Sequence, residues 1–271
     1  MSSSFYPTGG HPDWLHPLER CSSTNTWAID HAAQLQHGDV IFTRQQTAGR
    51  GQQGRVWYAP AGVLTASFVM DRLPLNRLSG FSLAAGIAVI RAVEEVLPSL
   101  QNVLQIKWPN DVLINHRKLA GILCEATTRS HAAHSRVIVG VGLNRAVDFA
   151  QAGLDQATIG NAISLHEVAP PPDELPLLER LRYHLLQVSE QLSGGNIRTN
   201  NTGNTSNRTK AGFTEFLPEL RQRDALLGRM ITLQQANTNL SGQAAGIDAE
   251  GRLILQLADR QAQVTSGHVL W

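Results

Sequence analysis

Lysine is scarce in this chain of 271 residues: of 23 basic residues only Lys107, Lys118 and Lys210 are lysines, and the rest are arginines. Cysteine is scarcer still. Cys21 and Cys124 are too few for a disulfide framework or a zinc site, and two buried thiols in a reducing cytoplasm are expected. Charge of either sign is low, 17% of residues, and balances to a formal +1 with pI about 7.9. That excludes the basic face of a general nucleic-acid binder. No apolar run approaches the ~18 residues of a membrane span. The opening Met1-Ser2-Ser3-Ser4-Phe5 lacks the basic-then-apolar pattern of a secretory leader, so the location expected is cytoplasmic. What is present is 42% hydrophobic residues in a length ample for a buried core, as one large domain or a medium domain with a small companion.

The first 14 residues carry Ser, Gly and Pro and read as a loose tail. A short strand is expected at 18–21. Ser22-Ser23-Thr24-Asn25 then supplies capping chemistry for a helix running to about residue 35. Strands are expected at 40–44 and 63–70, on either side of a glycine-rich basic segment. A helical pattern spans 78–97, where Ala84, Ala85, Gly86 and Ala88 predict close packing. Three strands follow at 103–108, 111–114 and 118–124, the last two joined by a tight turn at Asn115-His116-Arg117. A further apolar strand at 137–143 is expected to be central. The mixture lacks a regular βαβ rhythm, so the fold class is α+β, a mixed or antiparallel sheet packed with helices. Leu178, Leu181, Leu185, Val188 and Leu192 step by three and four as an amphipathic helix. The Asn-, Thr- and Gly-rich stretch 193–210 reads as a mobile surface loop, and a second amphipathic piece covers 213–220. From about residue 226, short strands follow one another, with the clearest turn at Ala249-Glu250-Gly251, as in a small antiparallel barrel. The expected organisation is a tail at 1–14, a larger domain at 15–225 and a small barrel at 226–271.

Three segments could carry chemistry. Gly49-Arg50-Gly51-Gln52-Gln53-Gly54-Arg55 matches GxGxxG spacing, but Pro60 and Gly62 break the helix that a dinucleotide site needs at that point. A loop that turns backbone N–H groups and two guanidinium groups toward an anion, with Trp57 as a flat apolar face, fits better. A surface turn with two solvated arginines and a core Trp remains open on the loop alone. Lys107-Trp108-Pro109-Asn110-Asp111 and Lys118-Leu119-Ala120-Gly121 lie on neighbouring expected strands, which can bring Lys107 and Lys118 together. In an Arg-dominated chain such point charges suit a phosphate or carboxylate. Gly140-Val141-Gly142-Leu143-Asn144 ends an apolar strand with two glycines, which suggests close approach of a ligand or another backbone. The His131 and His134 spacing lacks a third ligand, and no metal site is expected there.

Together these segments resemble the biotin–protein ligases, enzymes that attach biotin to carboxylase carrier domains. The resemblance runs through Ser23-Thr24-Asn25, the loop from Gly49 to Trp57, KWPND from Lys107 to Asp111, KLAGIL from Lys118 to Leu123 and GxGxN from Gly140 to Asn144, in the family's order over about residues 18–145. The C-terminal strands, with Gly246-Ile247-Asp248 and Gly251, resemble its SH3-like barrel. The resemblance implies the catalytic fold related to class II aminoacyl-tRNA synthetases, with biotin and ATP as substrates and Mg²⁺ accompanying ATP. It implies activation of biotin as biotinyl-5′-AMP, then transfer to a lysine of a biotin carboxyl carrier protein domain, as in acetyl-CoA carboxylase.

By that resemblance Ser23, Thr24 and Asn25, with Gln46 nearby, would meet the ureido ring. Arg50, Gly51 and Gln52 would close over biotin and the adenylate. Lys118 would contact carboxylate and phosphate, and Trp57 the adenine. Lys107, Asn110, Asp111, Gly121 and Asn144 would line the site. The catalytic candidates are Lys118, Arg50 and Asp111, the last to orient or deprotonate the acceptor amine. Family loops often read GRGRRGR, whereas Gln52 and Gln53 stand here at the two middle basic positions, so weaker retention of the adenylate is expected. About twenty residues precede Ser23, too few for the helix-turn-helix of the family's repressors, so DNA binding is not implied. Lipoate–protein ligases share the fold, but KWPND and the loop favour biotin. A homodimer by edge-to-edge sheet pairing is compatible with the sequence, and no residue decides it.

Overall fold

The computed structural model describes residues 10–74, 80–127, 134–193, 213–235 and 238–271. The expected tail up to residue 9, the expected loop beyond Ser193, and the side chains of His131 and His134 lie outside them. A seven-stranded sheet forms the larger part, in the order β1-β2-β5-β9-β8-β7-β6. Its strands are β1 (Leu15–Leu18), β2 (Val40–Thr43), β5 (Val63–Pro74), β6 (Gln105–Lys107), β7 (Asp111–Ile114), β8 (Arg117–Thr127) and β9 (His134–Asn144). β1 and β2 are parallel, and the remaining neighbours antiparallel. The loop segment adds a separate two-stranded ribbon, β3 (Gly49–Arg50) with β4 (Val56–Trp57). β9 is the middle strand, as its apolar run predicts.

Alternation along the central strands sorts their side chains onto two faces. Leu64, Ala66, Phe68 and Met70 on β5, with Val137, Val139, Val141 and Leu143 on β9, join the main core. The helices α2 (Phe81–Val96) and α4 (Glu174–Ser193) supply that core's other side, and Ala84, Ala85 and Ala88 are fully buried there. The opposite face carries Thr65, Ser67 and Val69 against Gly142, Gly140 and Ile138, and α1 (Thr24–Asp30) covers its far end through a smaller cluster with Ala28 and Ile41. The short helix α3 (Gln156–Gly160) has no buried residue, and α5 (Leu217–Arg223) buries Leu220 in the main core and Arg223 against Glu94. The functional face is therefore the one whose β5 and β9 positions are small or polar.

Several local expectations shift. The first strand lies at Leu15–Leu18 rather than 18–21, because it pairs residue for residue with Val40–Thr43; Cys21 makes only an isolated bridge to Gln46. α1 stops at Asp30 instead of continuing to 35. The Trp27 carbonyl accepts from both the backbone N–H and the ring Nδ1 of His31, and Ala32 N–H turns to Ile29 O, which tightens and ends the helix. The expected hairpin turn is there, with Asn115 at φ 49° and His116 at φ 64°, the left-handed pair of a two-residue hairpin. Cys21 and Cys124 are free but half-buried rather than fully buried. Burial raises both thiols, Cys124 to about 12, with Glu125 adding to that shift.

The C-terminal run forms a five-stranded antiparallel sheet in the order β13-β12-β11-β10-β14. Its strands are β10 (Met230–Gln234), β11 (Asn239–Ile247), β12 (Leu253–Gln256), β13 (Gln261–Val264) and β14 (His268–Leu270). The last strand was not anticipated: three residues are too short to show an alternation, and β14 is defined by its ladder to β10. The smaller sheet docks on the larger part through buried groups. Trp108 Nε1 donates to Gly251 O at 3.1 Å, and Ala225 N–H to Ile106 O at 2.9 Å. On the helix that leads into the small sheet, Arg223 Nη1 meets Glu94 Oε1 of α2 at 2.8 Å.

Candidate active site

The floor of the site is built by α1 and three strands. Ser23 caps α1, its Oγ accepting from Thr26 N–H, so the chain enters the helix with Thr24 and Asn25 buried against the sheet. Gln46 Oε1 accepts from Thr24 N–H at 2.9 Å. Ser67 Oγ donates to Asn25 Oδ1 at 2.5 Å and lies 2.7 Å from Thr24 Oγ1. Asn25 Nδ2 donates to Leu123 O and to Glu125 Oε2. A side chain at Gly140 would run into Asn25, whose Oδ1 stands 2.5 Å from the position of the missing Cβ. The glycine is thus required for Asn25 to lie flat on the sheet.

Above this floor is a cavity of about 110 Å³. Its walls include Ser23, Thr24, Asn25 and Gln46 from one side, and Asn110 from the turn before β7 with Lys118 and Gly121 of β8. Arg50, Gly51, Gln52 and Trp57 of the ribbon close its top. The Trp57 indole lies across the backbones of Gly121 and Gly142, and occupies the space a Cβ at Gly142 would need. Its Nε1 is buried with no hydrogen-bond partner. A donor so placed is costly unless a ligand or a shift of the ring satisfies it. Arg50 Nη2 meets Glu125 Oε2 at 2.6 Å, which ties the ribbon to β8.

A second, larger cavity of about 560 Å³ adjoins the first. Arg55, Val56, Trp57 and Lys118 line both. Lys107, Asp111 and Asn144 face only the larger one, together with His268 and Trp271 from the small sheet. Lys118 Nζ lies 2.6 Å from Asp111 Oδ1, an ion pair whose angles fall short of a hydrogen bond. It also stands 5.3 Å from the centre of the Trp57 ring. Lys107 Nζ sits 5.3 Å from the centre of the Trp271 ring. Burial pushes the Lys107 ammonium below the usual lysine range; Asp111 opposes this, while Lys118 and Arg55 add to it. Arg55 Nη1 is 2.8 Å from His268 Nδ1. Burial, then the Arg55 and Lys107 charges, hold His268 below its ordinary value, in the neutral form that can accept from Arg55. Asn144 uses its amide to brace two backbones, donating to Lys118 O and Ile163 O. Asn110 likewise donates to Ile122 O.

All fourteen candidate site residues named from the sequence thus border these two cavities. Sequence reasoning missed Ser67, Glu125 and His268. For Ser67 and Glu125 the available signal was the period-two alternation, which puts Ser67 beside Thr65 and puts Glu125 on the face of Gly121 and Leu123. For His268 no local signal existed. Among the described residues no cluster of three His, Cys, Asp or Glu side chains could hold a metal ion, and no helix is long and apolar enough to cross a membrane.

An α+β ligase domain with a small C-terminal domain is the class that comparisons return. Residues 18–144 match the model of the biotin/lipoate A/B protein ligase family, and residues 226–270 that of the biotin protein ligase C terminal domain. The biotin--[acetyl-CoA-carboxylase] ligase of Mycobacterium tuberculosis is 30% identical over 263 residues, covering 94% of this chain and 88% of that one. The bifunctional ligase/repressor BirA of Salmonella typhimurium is 28% identical over 236 residues, and this chain spans 67% of its length. The biotin protein ligase of Aquifex aeolicus, solved in complex with biotin and ATP, superposes with a TM-score of 0.75 at 22% identity, covering 94% of this chain and 97% of that one. The chain belongs to the biotin/lipoate A/B protein ligase family, and within it to the biotin protein ligases.

Proposed function

We propose that the protein activates biotin with ATP as biotinyl-5′-AMP and transfers the biotinyl group to a lysine of a biotin carboxyl carrier domain. The observation that carries this reading is the junction of two cavities at Arg55, Trp57 and Lys118. The smaller cavity suits a compact, neutral bicyclic head: Ser23, Thr24, Asn25 and Gln46 offer polar groups, and Ala66, Gly140, Val141 and Gly142 add glycine and apolar surface. The larger groove is lined by Lys107, Arg55 and Lys118, and suits a polyphosphate. A carboxylate tail reaching from the first cavity meets the α-phosphorus at their junction.

In the first step a biotin carboxylate oxygen bonds to the α-phosphorus, and the bond to pyrophosphate breaks. Two anions must approach, and Lys118, Arg55 and Lys107 offset that repulsion electrostatically. Holding both reactants in adjoining cavities supplies the orientation. Mg²⁺ would enter on the triphosphate and neutralise its oxygens, with Asp111 as a carboxylate lining the groove. In the second step the acceptor amine attacks the carbonyl carbon of the mixed anhydride, and AMP leaves. Lysine amines are largely protonated at neutral pH. Asp111, beside Lys118 at the junction, is assigned to orient that amine and take its proton. Asp111→Asn is expected to slow transfer from preformed biotinyl-AMP; transfer at the normal rate would remove the base role. The two free thiols suit a reducing cytoplasm.

The test is ATP–pyrophosphate exchange by the purified chain with biotin, lipoate or no acid. Biotin-dependent exchange is expected. Exchange with lipoate alone would move the activity to the sister branch, and no exchange with any acid despite biotin binding would make the chain a binding protein rather than a ligase.

A further inference from the structure

We propose that Glu125 is a positioning residue for biotin capture, tying the ribbon that closes the pocket to the pocket's floor. This rests on the biotin-ligase reading above. One carboxylate oxygen, Glu125 Oε2, accepts from Asn25 Nδ2 at 2.9 Å and pairs with Arg50 Nη2 at 2.6 Å. Asn25 lies on the floor and Arg50 on the ribbon, so a single acid joins two surfaces that are 25 residues apart in sequence and meet only in the fold.

Both partners depend on it. The Asn25 amide has its two N–H groups on Glu125 and Leu123 O, and its oxygen on the Ser67 hydroxyl. A flipped amide would set its oxygen against a carboxylate and a carbonyl, so Glu125 and Leu123 O together fix the orientation. Arg50 is a long side chain at the rim, 43% exposed. Ordering such a side chain when ligand binds costs affinity, and a fixed partner removes that cost beforehand. The bond is also charge-assisted, the stronger kind.

The location of the acid resolves an apparent conflict, a carboxylate beside a site for anions. Glu125 and Lys118 are seven residues apart on the same strand, and the Lys118 ammonium reaches to Gly121, four residues or roughly 13 Å at strand spacing from Glu125. The acid therefore stands at the end where the neutral head would lie, and the lysine at the end where the carboxylate and phosphate would meet. Arg50 is neutralised at the distal end to hold the ribbon down, and Lys118, Arg55 and Lys107 remain for the phosphate chemistry.

The test uses the full chain as wild type, Glu125→Gln, Glu125→Ala, Arg50→Gln and the Glu125→Gln, Arg50→Gln double variant. Biotin Kd is measured by calorimetry, and KM for biotin and kcat by pyrophosphate exchange. Glu125→Gln is expected to raise Kd and KM for biotin about tenfold while kcat at saturating biotin stays within about twofold. The double variant is expected to be no weaker than Arg50→Gln, since Glu125→Gln keeps an amide oxygen that can accept from Asn25 and both changes cut the same tie to Arg50. Unchanged Kd in the Glu125 variants, tighter binding, additive losses, or equal falls in kcat and kcat/KM would each overturn the proposal. Should Glu125→Ala fail to fold, Glu125→Gln, of the same size, carries the test. A wild-type chain that neither binds biotin nor exchanges would sink the ligase reading and this proposal with it; an active wild type with indifferent Glu125 variants sinks the proposal alone.

Discussion

Lysine rarity turns out to be informative one side chain at a time. Two of the three lysines face one groove, and they do different work there. Lys118 is held by Asp111 at 2.6 Å, whereas Lys107 rests on the Trp271 ring and carries a lowered pKa. A depressed ammonium loses its proton as pH rises through that lowered value, so affinity for a polyphosphate should fall at a lower pH than an ordinary lysine would dictate. KM for ATP is expected to climb on the alkaline side, and Lys107→Arg to move that limb upward. A limb unmoved by Lys107→Arg would belong to another group. Gln52, which borders the smaller cavity, is uncharged where related loops often carry a basic residue. Gln52→Arg is expected to slow escape of biotinyl-AMP by about 3- to 10-fold, read by chasing labelled adenylate from the enzyme. These positions were legible in the sequence because they sit in contiguous motifs. Ser67 and Glu125 were missed, because alternation gives only the face they share with Thr65 and with Gly121, and no motif marks a role for them.

The glycines of β8 and β9 act together as a seat for the ribbon. Gly121 and Gly142 face each other across the two strands, and Trp57 lies over both. Gly142→Ala would place a methyl group inside the indole's volume. The strand itself should survive, since its register is held by Val139, Val141 and Leu143 on the core face. The expected outcome is an unchanged far-UV spectrum, an altered tryptophan near-UV signal and about tenfold weaker biotin binding. Unchanged binding would mean that Trp57 contributes nothing to closure. Most elements could be read from pattern: the hairpin turn, the central strand, the amphipathic helix and the cap at Ser23 all follow local rules. β1, the end of α1 and β14 could not. Each is set by a partner that pattern does not contain: a ladder to β2, a ring nitrogen on a carbonyl, and a ladder to β10.

Across the whole molecule, the groove exists because the small sheet is docked in one orientation. Lys107, Asp111 and Lys118 come from the larger sheet, and His268 and Trp271 from the smaller. Arg223, on the helix that leads into the smaller sheet, fixes that helix to α2, with its side chain 8% exposed and both Nη atoms on Glu94. Glu94 also accepts from Asn102 N–H and Gln101 Nε2, so its carboxylate is fully engaged. Arg223→Ala would leave that carboxylate buried and short of its cation. A loss of about 3–5 kcal/mol in unfolding free energy is expected by denaturant titration. A loss below about 1 kcal/mol would show that water or another cation replaces the guanidinium.

Short-range physics explains what could be read from the order of residues. Alternation, capping and turn conformation act within a few positions, and the α+β class followed from them; the fourteen bordering residues were named through contiguous motifs that resemble those of a known family. The joining of distant residues did not follow. Asn25 with Glu125, Arg55 with His268 and Glu94 with Arg223 are separated by 100 to 213 positions. No periodicity spans such distances. Those contacts exist because two sheets and a helix bury their apolar faces in one arrangement, and the polar groups left on the remaining faces meet where that packing brings them.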